Sequence, residues 1–216
     1  MKIYFVLYFY RAFRLKSDHG ERTFMRILIV SDTHGNTSRV REVYKKLSAV
    51  SPVDMIVHCG DYSSDALKIQ NELGKRVLWV KGNCDGCFDE KEFAVLQTEA
   101  GDFFVCHGHM QNVGYSKRDL YYYACQEDCV GAIYGHTHRA DKTEMGDFLF
   151  INPGSISEPR DGSGGTFALL NTAEGHADCR ILRYHDFMLD GSSSGGSKPK
   201  VKGGHLRDLF NYSDGF

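Results

Sequence analysis

The chain of 216 residues has little of what a membrane protein needs. Its apolar N-terminal run, residues 3–10, is eight residues long, whereas a helix that crosses a bilayer needs about 20. No small-residue cleavage site precedes Arg11, so a secretory leader is not expected either. A membrane span is therefore not predicted, and an interfacial anchor would need an amphipathic period that residues 1–24 lack.

Charge of one sign is also scarce. The formal net charge is −2, with 26 Lys and Arg residues against 28 Asp and Glu residues. The basic residues are scattered, and only Lys198, Lys200 and Lys202 form a small cluster, which we interpret as a solubility feature of a tail. Because a basic stripe is missing, the sequence predicts no dedicated nucleic-acid groove.

A disulfide framework is the third missing feature. Seven cysteines, an odd number, are spread through predicted strands, loops and a helix, which indicates a reducing cytoplasm. Cys84 and Cys87 do form a CxxC pair, which leaves two alternatives: a reversible disulfide that inactivates the protein, or a structural zinc site completed by Cys125 and Cys129. Because Cys84 also belongs to one of the motifs described next, we favour neither alternative.

What the chain does contain is a series of five short clusters of metal-binding residue types. Together they offer three carboxylates, one amide oxygen and five imidazoles. In chain order the clusters are Asp32-Thr33-His34, Gly60-Asp61, Gly82-Asn83-Cys84-Asp85, His107-Gly108-His109 and Gly135-His136-Thr137-His138. This mixed set of hard and borderline ligands suits a pair of divalent transition ions better than a single zinc ion, and it predicts a two-metal hydrolase.

Each cluster follows directly after a predicted strand. The strand runs are apolar and rich in β-branched residues, and they cover residues 26–31, 54–57, 76–80, 102–105 and 130–134. In open α/β sheets ligands bind outside the carboxyl ends of the strands, so five such ends can bring their loops to one point. Glycines at positions 35, 60, 82, 108 and 135 fit tight turns and close approach of the backbone to an ion.

The other elements are predicted from the same periodicities. Apolar spacing favours helices around Val43 and Ala66 and over residues 120–125, where tyrosines are expected to pack on the core. Residues 148–151 are predicted as an edge strand, and residues 166–170 and 180–184 as two late strands joined by a turn near Glu174-Gly175. The length and the 42% hydrophobic content allow one domain of ordinary size.

The five motifs, in this order, resemble those of the calcineurin-like metallophosphoesterases. Five matches in one order are far more specific than any single one. The resemblance covers about residues 25–184, and it extends to the small phosphodiesterases of bacteria and archaea and to the related scaffold subunit of the retromer coat. It implies an α/β four-layer sandwich of two mixed β-sheets flanked by helices, without a cap domain.

The resemblance also implies a set of metal ligands. Carried over by motif, one ion is assigned to Asp32, His34 and His138, the other to Asn83, His107 and His136, and Asp61 bridges the two. Such ions lie about 3.5–4 Å apart and share a hydroxide that acts as the nucleophile. The family implies Mn²⁺, with Ni²⁺, Zn²⁺, Fe²⁺ and Mg²⁺ as alternatives.

Four residues are candidates for catalysis beside the metals. Asn83 is a candidate both as a metal ligand and as a catalytic residue. Cys84 stands where many family members have the histidine that protonates the leaving group, and we expect the Cys84 thiol to be a poorer acid than that histidine. Asp85 is expected to orient its neighbours. Arg160, in a Pro/Gly-rich turn, either steadies a phosphate oxygen or is a surface arginine.

Two further histidines are assigned separately. His58 lies inside the second predicted strand, and we expect it to be a hydrogen-bonded core histidine. His109 either lines the pocket or holds its loop, and His107 is preferred as the ligand on the family pattern.

The organisation along the chain is predicted as four segments. Residues 1–24 form an N-terminal extension, which we interpret as a start codon assigned too early, because similar proteins commonly begin at the position of Met25. Residues 25–190 form the metallophosphoesterase domain, and residues 191–204 form a Gly/Ser-rich linker with a span of roughly 20 Å. Residues 205–216 repeat apolar side chains at helical spacing and are expected to dock on the protein itself or on a second subunit, which leaves a homo-oligomer open.

The function expected from this resemblance is hydrolysis of a small phosphodiester. The alternatives are a non-catalytic protein-binding scaffold, a nuclease and a phosphomonoesterase of the same superfamily. A scaffold would not need all seven ligands, and a nuclease would be expected to have a basic groove.

Overall fold

The structure, a computed structural model, describes residues 24–86 and 91–189. Within these residues the strands are β1 (Phe24–Val30), β2 (Met55–His58), β3 (Val77–Trp79), β4 (Phe93–Leu96), β5 (Phe103–Cys106), β6 (Gly131–Ile133), β7 (Ala140–Met145), β8 (Phe148–Pro153), β9 (Thr166–Ala173) and β10 (His176–Arg183). The helices are α1 (Ser38–Ser48), α2 (Ser63–Leu73), α3 (Arg118–Gln126) and α4 (Tyr184–Leu189).

The strands form two mixed sheets. The first has the order β10-β9-β1-β2-β3, in which β1, β2 and β3 are parallel and the β9–β10 hairpin is antiparallel to β1. The second has the order β4-β5-β6-β8-β7, in which β5, β6 and β8 are parallel and the two outer strands are antiparallel. Five of the parallel strands, β1, β2, β3, β5 and β6, end at the loops that carry the five motifs.

Strand β1 shows how the layers are held together. Its side chains alternate between faces, so Ile27 and Ile29 enter the core between the sheets while Leu28 and Val30 pack under the helices. The inter-sheet core also takes Val105 from the second sheet, and all of these side chains are fully buried. A strand that is apolar on both faces is what a sheet covered on both sides requires.

Helices cover the outer faces of both sheets. Helices α1, α2 and α4 lie on the first sheet, where Val43, Ile69 and Phe187 are buried in one cluster with Leu28. Helix α3 covers the second sheet through Leu120 and other buried residues. All helices and strands of the described residues belong to these four layers, so the predicted α/β four-layer sandwich is confirmed.

Several sequence-based expectations about single elements were wrong. Residues 148–151 are not an edge strand, because β7, which was not predicted, pairs with β8 on its outer side. Strand β4 was also missed, and the predicted strand 180–184 ends at Arg183, where the chain enters α4. In α3 the side chains of Tyr122 and Tyr123 are about half exposed, so only part of the tyrosine cluster packs on the core.

Some predictions concern parts of the chain outside the described residues. These are the N-terminal extension up to residue 23, the linker 191–204, the segment 205–216 and the partner thiol of the proposed Cys84–Cys87 disulfide. In the described part of the chain, no helix is both long enough and apolar enough to cross a membrane.

Candidate metal centre

The five predicted clusters meet at one edge of the sandwich. Asp32 follows β1, Asp61 follows β2, Asn83 follows β3, His107 follows β5, and the cluster that contains His136 follows β6. All five strands are parallel neighbours within their sheets, so their carboxyl ends place these loops together.

The carboxylate of Asp61 lies at the centre of the cluster. Its Oδ1 atom is 3.2 Å from Nε2 of His107, and its Oδ2 atom is 3.8 Å from Nε2 of His34. The two oxygens therefore face two different groups of donors. The Asp61 side chain is almost completely buried, which leaves these neighbours as its main electrostatic environment.

On one side of Asp61, four side chains form a compact donor set. One oxygen or nitrogen atom from each of Asp32, His34, Asp61 and His138 lies within 4.8 Å of the others. Nε2 of His138 is 3.3 Å from Oδ1 of Asp32 and 3.3 Å from Nε2 of His34. Two carboxylates and two imidazoles are donors that divalent transition ions accept.

On the other side of Asp61, Asn83 and two histidines surround His107. Oδ1 of Asn83 is 3.1 Å from Nε2 of His107. The His136 ring lies 5.1 Å from the His107 ring, and the His109 ring lies 5.4 Å from it, as measured between ring centroids. All seven predicted ligands are thus brought together, with His109 beside them.

Two of the imidazoles are oriented by backbone carbonyls. Nδ1 of His107 lies 2.8 Å from the carbonyl oxygen of Cys59, and Nδ1 of His138 lies 2.6 Å from that of Glu158. A carbonyl only accepts hydrogen bonds, so each Nδ1 must carry the proton. The Nε2 atoms therefore point into the cluster, which is the orientation that a metal-binding histidine requires.

The electrostatics of the cluster favour a cation. Burial raises the pKa of Asp32, but its contacts with His138 and His107 outweigh this effect, so the net pKa is lowered and the carboxylate is ionised. Burial and the neighbouring His107 lower the pKa of His136, which keeps that imidazole neutral. The buried Oδ1 of Asp32 lies 3.3 Å from Nε2 of His138 but makes no hydrogen bond of good geometry with any described residue. A buried carboxylate oxygen without a full hydrogen bond is costly unless it coordinates a metal, so the donor set fits divalent ions.

The loops hold these residues in a left-handed backbone conformation. The φ angle is 53° at Asp32, 46° at His34, 57° at Asp61, 68° at His136 and 57° at His138. Non-glycine residues are uncommon in this region of φ/ψ space, and they concentrate where the surrounding structure enforces them at functional sites. Five of the seven predicted ligands therefore share a strained backbone that points their side chains inward.

Two glycines allow this close packing, as predicted. At Gly82 an added Cβ would overlap Oδ1 of Asp61. At Gly60, where φ is +94°, an added Cβ would come within 2.8 Å of Nδ1 of His107. A side chain at either position would displace the central carboxylate or the ring beside it.

A buried hydrogen-bond relay supports the first two loops from behind. The Gly60 N–H donates to Nδ1 of His58, so Nε2 of His58 carries the proton and donates to Oγ1 of Thr33 at 3.0 Å. Thr33 donates in turn to Oδ2 of Asp65 at 2.6 Å, and that atom also accepts the Gly35 N–H. His58 is fully buried, and burial lowers its pKa to about 4. The prediction of a hydrogen-bonded core histidine is confirmed, whereas the roles of Thr33 and Asp65 were missed.

The other candidate residues lie around the rim of the cluster. The Asp85 carboxylate accepts the N–H groups of Ser63 at 2.7 Å and Gly82 at 2.8 Å, so it ties two of the loops together. Cys84 is exposed, and partial burial and the Asp61 carboxylate raise the pKa of its thiol to about 11. Arg160 has an exposed side chain and donates its backbone N–H to the carbonyl oxygen of His138 at 2.9 Å.

His109 lies close to the cluster without joining its hydrogen bonds. Its buried Nδ1 has no hydrogen-bond partner among the described residues. Burial lowers the pKa of its ring, with His107 adding to the effect. This position at the side of His107 and His136 corresponds to the first of the two alternatives, a residue that lines the pocket.

The sandwich fold and the carboxylate–imidazole cluster together define an α/β protein with a candidate metal centre. Comparison with known proteins makes the assignment specific: the model of the calcineurin-like phosphoesterase superfamily domain matches residues 25–175. The chain belongs to this family.

Individual relatives agree with the family assignment. The chain is 32% identical over 162 residues to YsnB, a probable metallophosphoesterase of Bacillus subtilis. This alignment covers 75% of this chain and 91% of that protein. It is 33% identical over 147 residues to a phosphodiesterase of Methanocaldococcus jannaschii, covering 60% of this chain and 83% of that protein. A solved structure of a predicted phosphoesterase from Streptococcus pneumoniae superposes with a TM-score of 0.64 at 28% identity, covering 76% and 92% of the two chains.

Proposed function

We propose that this protein is a phosphodiesterase that works with two divalent ions, Mn²⁺ first among them. The observation that carries the proposal is the position of Asp61, whose two oxygens face separate donor groups at 3.2 Å and 3.8 Å. A carboxylate in this position can bridge two ions and hold their spacing. The proposed ligands are Asp32, His34, Asp61 and His138 on one side, and Asp61, Asn83, His107 and His136 on the other.

The residues of the chain have separate tasks in this proposal. When bound, the two ions would activate a water molecule and neutralise the negative charge of the phosphoryl group. The carboxylates of Asp32 and Asp61 supply the negative charge that keeps the ions in place, and the carbonyl contacts of His107 and His138 fix the imidazoles in the metal-binding tautomer. Arg160, whose backbone N–H donates to the carbonyl oxygen of His138, would steady a phosphate oxygen.

Three considerations favour a phosphodiester substrate and a catalytic role. One relative in the comparison above is named a phosphodiesterase. A scaffold of this fold would have no reason to keep buried, ionised carboxylates on strained backbone. A small diester is also favoured over a polynucleotide as the substrate, because the basic residues of the chain form no stripe. We further propose the reducing cytoplasm as its compartment, because the six described cysteines are all free.

Reconstitution of metal-free protein tests the proposal. The protein is loaded with Mn²⁺, its metal content is measured, and it is assayed with bis(4-nitrophenyl) phosphate, 4-nitrophenyl phosphate and a single-stranded oligonucleotide. We expect two ions per chain and fastest hydrolysis of the diester. His138→Ala should lose activity and metal, while the exposed His185→Ala serves as the control. Absence of metal-dependent hydrolysis by the wild-type protein would overturn the proposal, and preference for the monoester or the oligonucleotide would replace it with the corresponding alternative.

A further inference from the structure

Tyr62 has a backbone conformation that its side chain disfavours. Its φ and ψ angles are 68° and 66°, in the left-handed region, and it follows Asp61, which has the same handedness. For a bulky aromatic residue this is an outlier, because Cβ crowds the neighbouring carbonyl group. Glycine or asparagine would meet the same backbone requirement with less strain, so the geometry of the turn alone does not explain a tyrosine.

Hydrogen bonds on both sides keep Tyr62 in this conformation. The Asp65 N–H donates to the carbonyl oxygen of Tyr62 at 2.8 Å, and the Ser63 N–H donates to Oδ1 of Asp85 at 2.7 Å. On the preceding residue, Oδ1 of Asp61 accepts the Cys84 N–H at 3.0 Å. The strained pair is thus held by the same loops that build the candidate metal centre, which is how strain persists at functional sites.

The ring of Tyr62 lies at the edge of the metal centre. Its centroid is 5.2 Å from the centroid of the His34 ring, with the planes inclined by 65°. The residue is 40% exposed, so part of the ring remains open beside the cluster. No hydrogen bond holds its hydroxyl group within residues 24–86 and 91–189, which points to the ring rather than to the hydroxyl as the working part.

The geometry points to Tyr62 as a specificity-determining residue that stacks on a planar aromatic arm of the phosphoester. This inference rests on the proposed function and names the substrate class of the same site. A phosphoryl group at the metal centre places its ester arms a few ångströms away, where an exposed aromatic ring offers a flat apolar surface. Aromatic rings stack in offset or edge-to-face arrangements, and this contact requires no fixed hydrogen bond.

Ligand binding to the Mn²⁺-loaded protein tests the inference without relying on turnover. The affinities for phenylphosphonate and methylphosphonate are measured by calorimetry, and their ratio cancels changes in metal occupancy. We expect wild type to bind phenylphosphonate about tenfold more tightly. Tyr62→Phe should keep this ratio, whereas Tyr62→Asn and Tyr62→Leu should bring it close to one. Tyr115→Leu, at a tyrosine that is 96% exposed, is the matched control and should leave the ratio unchanged.

Thermal unfolding of the metal-free variants supplies a second readout. Because asparagine tolerates the left-handed region, Tyr62→Asn should melt no lower than wild type even though it loses the aromatic preference. The inference fails if wild type shows no preference for phenylphosphonate, or if both Tyr62→Asn and Tyr62→Leu retain it. If diesters are not hydrolysed by wild type but the affinity ratio still depends on Tyr62, the proposed function fails and the aromatic subsite stands.

Discussion

The core between the two sheets and the loops at their carboxyl ends differ in almost every physical respect. In the core, Ile27, Ile29 and Val105 are fully buried on regular strands with alternating faces. In the loops, ionised Asp32 is equally buried and Asp61 and His138 are nearly so, but all three lie on left-handed backbone. The apolar layers stabilise the fold, whereas the loops adopt conformations that lower its stability, and such costs are tolerated where they position functional groups.

The largest effect is expected from the centre of the loops. Asp61→Asn should lower diester hydrolysis by more than about a hundredfold, because removal of one negative charge weakens both proposed ion sites. The metal-free variant should fold normally, since it no longer buries this charge. Initial rates and metal content per chain measure the effect.

The control for this variant is Asp178→Asn, which removes a surface carboxylate that is paired with Arg180 on β10. Near-normal turnover of Asp61→Asn together with two ions per chain would rule out the bridging assignment.

A core substitution should produce the opposite pattern. Ile29→Ala removes buried apolar volume between the sheets and should lower the free energy of unfolding by about 2–5 kcal/mol, while activity per folded molecule is retained. Urea denaturation measures the first quantity, and rates at a temperature well below the unfolding transition measure the second. Val50→Ala, at an exposed apolar residue, should change neither. If Ile29→Ala lost activity without losing stability, the core would not have the purely stabilising role that distinguishes it from the loops.

The relay behind the loops predicts a pH dependence of stability. Burial lowers the pKa of His58 to about 4, below its value of about 6.5 in an unfolded chain. As the pH falls, the unfolded state therefore binds this proton before the folded state does. The contribution of neutral His58 to the free energy of unfolding is complete above pH 6.5 and is lost between about pH 6.5 and 4, by up to roughly 3 kcal/mol.

Denaturation of the metal-free protein across this pH range measures the effect. His58→Gln, which cannot titrate but can still bond to Thr33 and Gly60, should show a flatter profile. Identical profiles for the two proteins would show that His58 does not contribute to the pH dependence.

The smallest effect is expected at the rim. Cys84 is exposed and its thiol accepts a hydrogen bond from Nδ2 of Asn83 at 3.5 Å, while partial burial and the Asp61 carboxylate raise its pKa to about 11, which makes it a poor acid. Cys84→Ala should therefore change hydrolysis of an activated aryl diester by less than about tenfold, or 1.4 kcal/mol. Cys84→His should improve substrates with poor leaving groups selectively. A larger loss in Cys84→Ala that grows with leaving-group pKa would make the thiol a working acid.

The sequence predicted the loops better than it predicted some of the strands. Motif order and the strand runs were sufficient to place the candidate ligands at adjacent strand ends, because apolar runs report burial and polar residues interrupt them. Strand β7 was missed because it lies at the edge of its sheet and is mostly polar, so its residues 140–145 show no apolar alternation.

Other features of the site could not be predicted from one sequence. The relay joins Thr33 to His58 and Asp65, which are 25 and 32 residues away, and hydrogen bonds at such separations leave no periodic signal. The left-handed backbone of Asp32 and Tyr62 is likewise enforced by tertiary contacts, since neither residue type demands it. A conformation imposed by the surroundings becomes visible only in the structure.

Diffraction from crystals soaked in Mn²⁺, recorded where manganese scatters anomalously, would show whether Asp61 bridges two ions. We expect two peaks about 3.5–4 Å apart, one on each side of the Asp61 carboxylate. One peak should lie among Asp32, His34 and His138, and the other among Asn83, His107 and His136. A single peak, or peaks away from Asp61, would show that Asp61 does not bridge two ions.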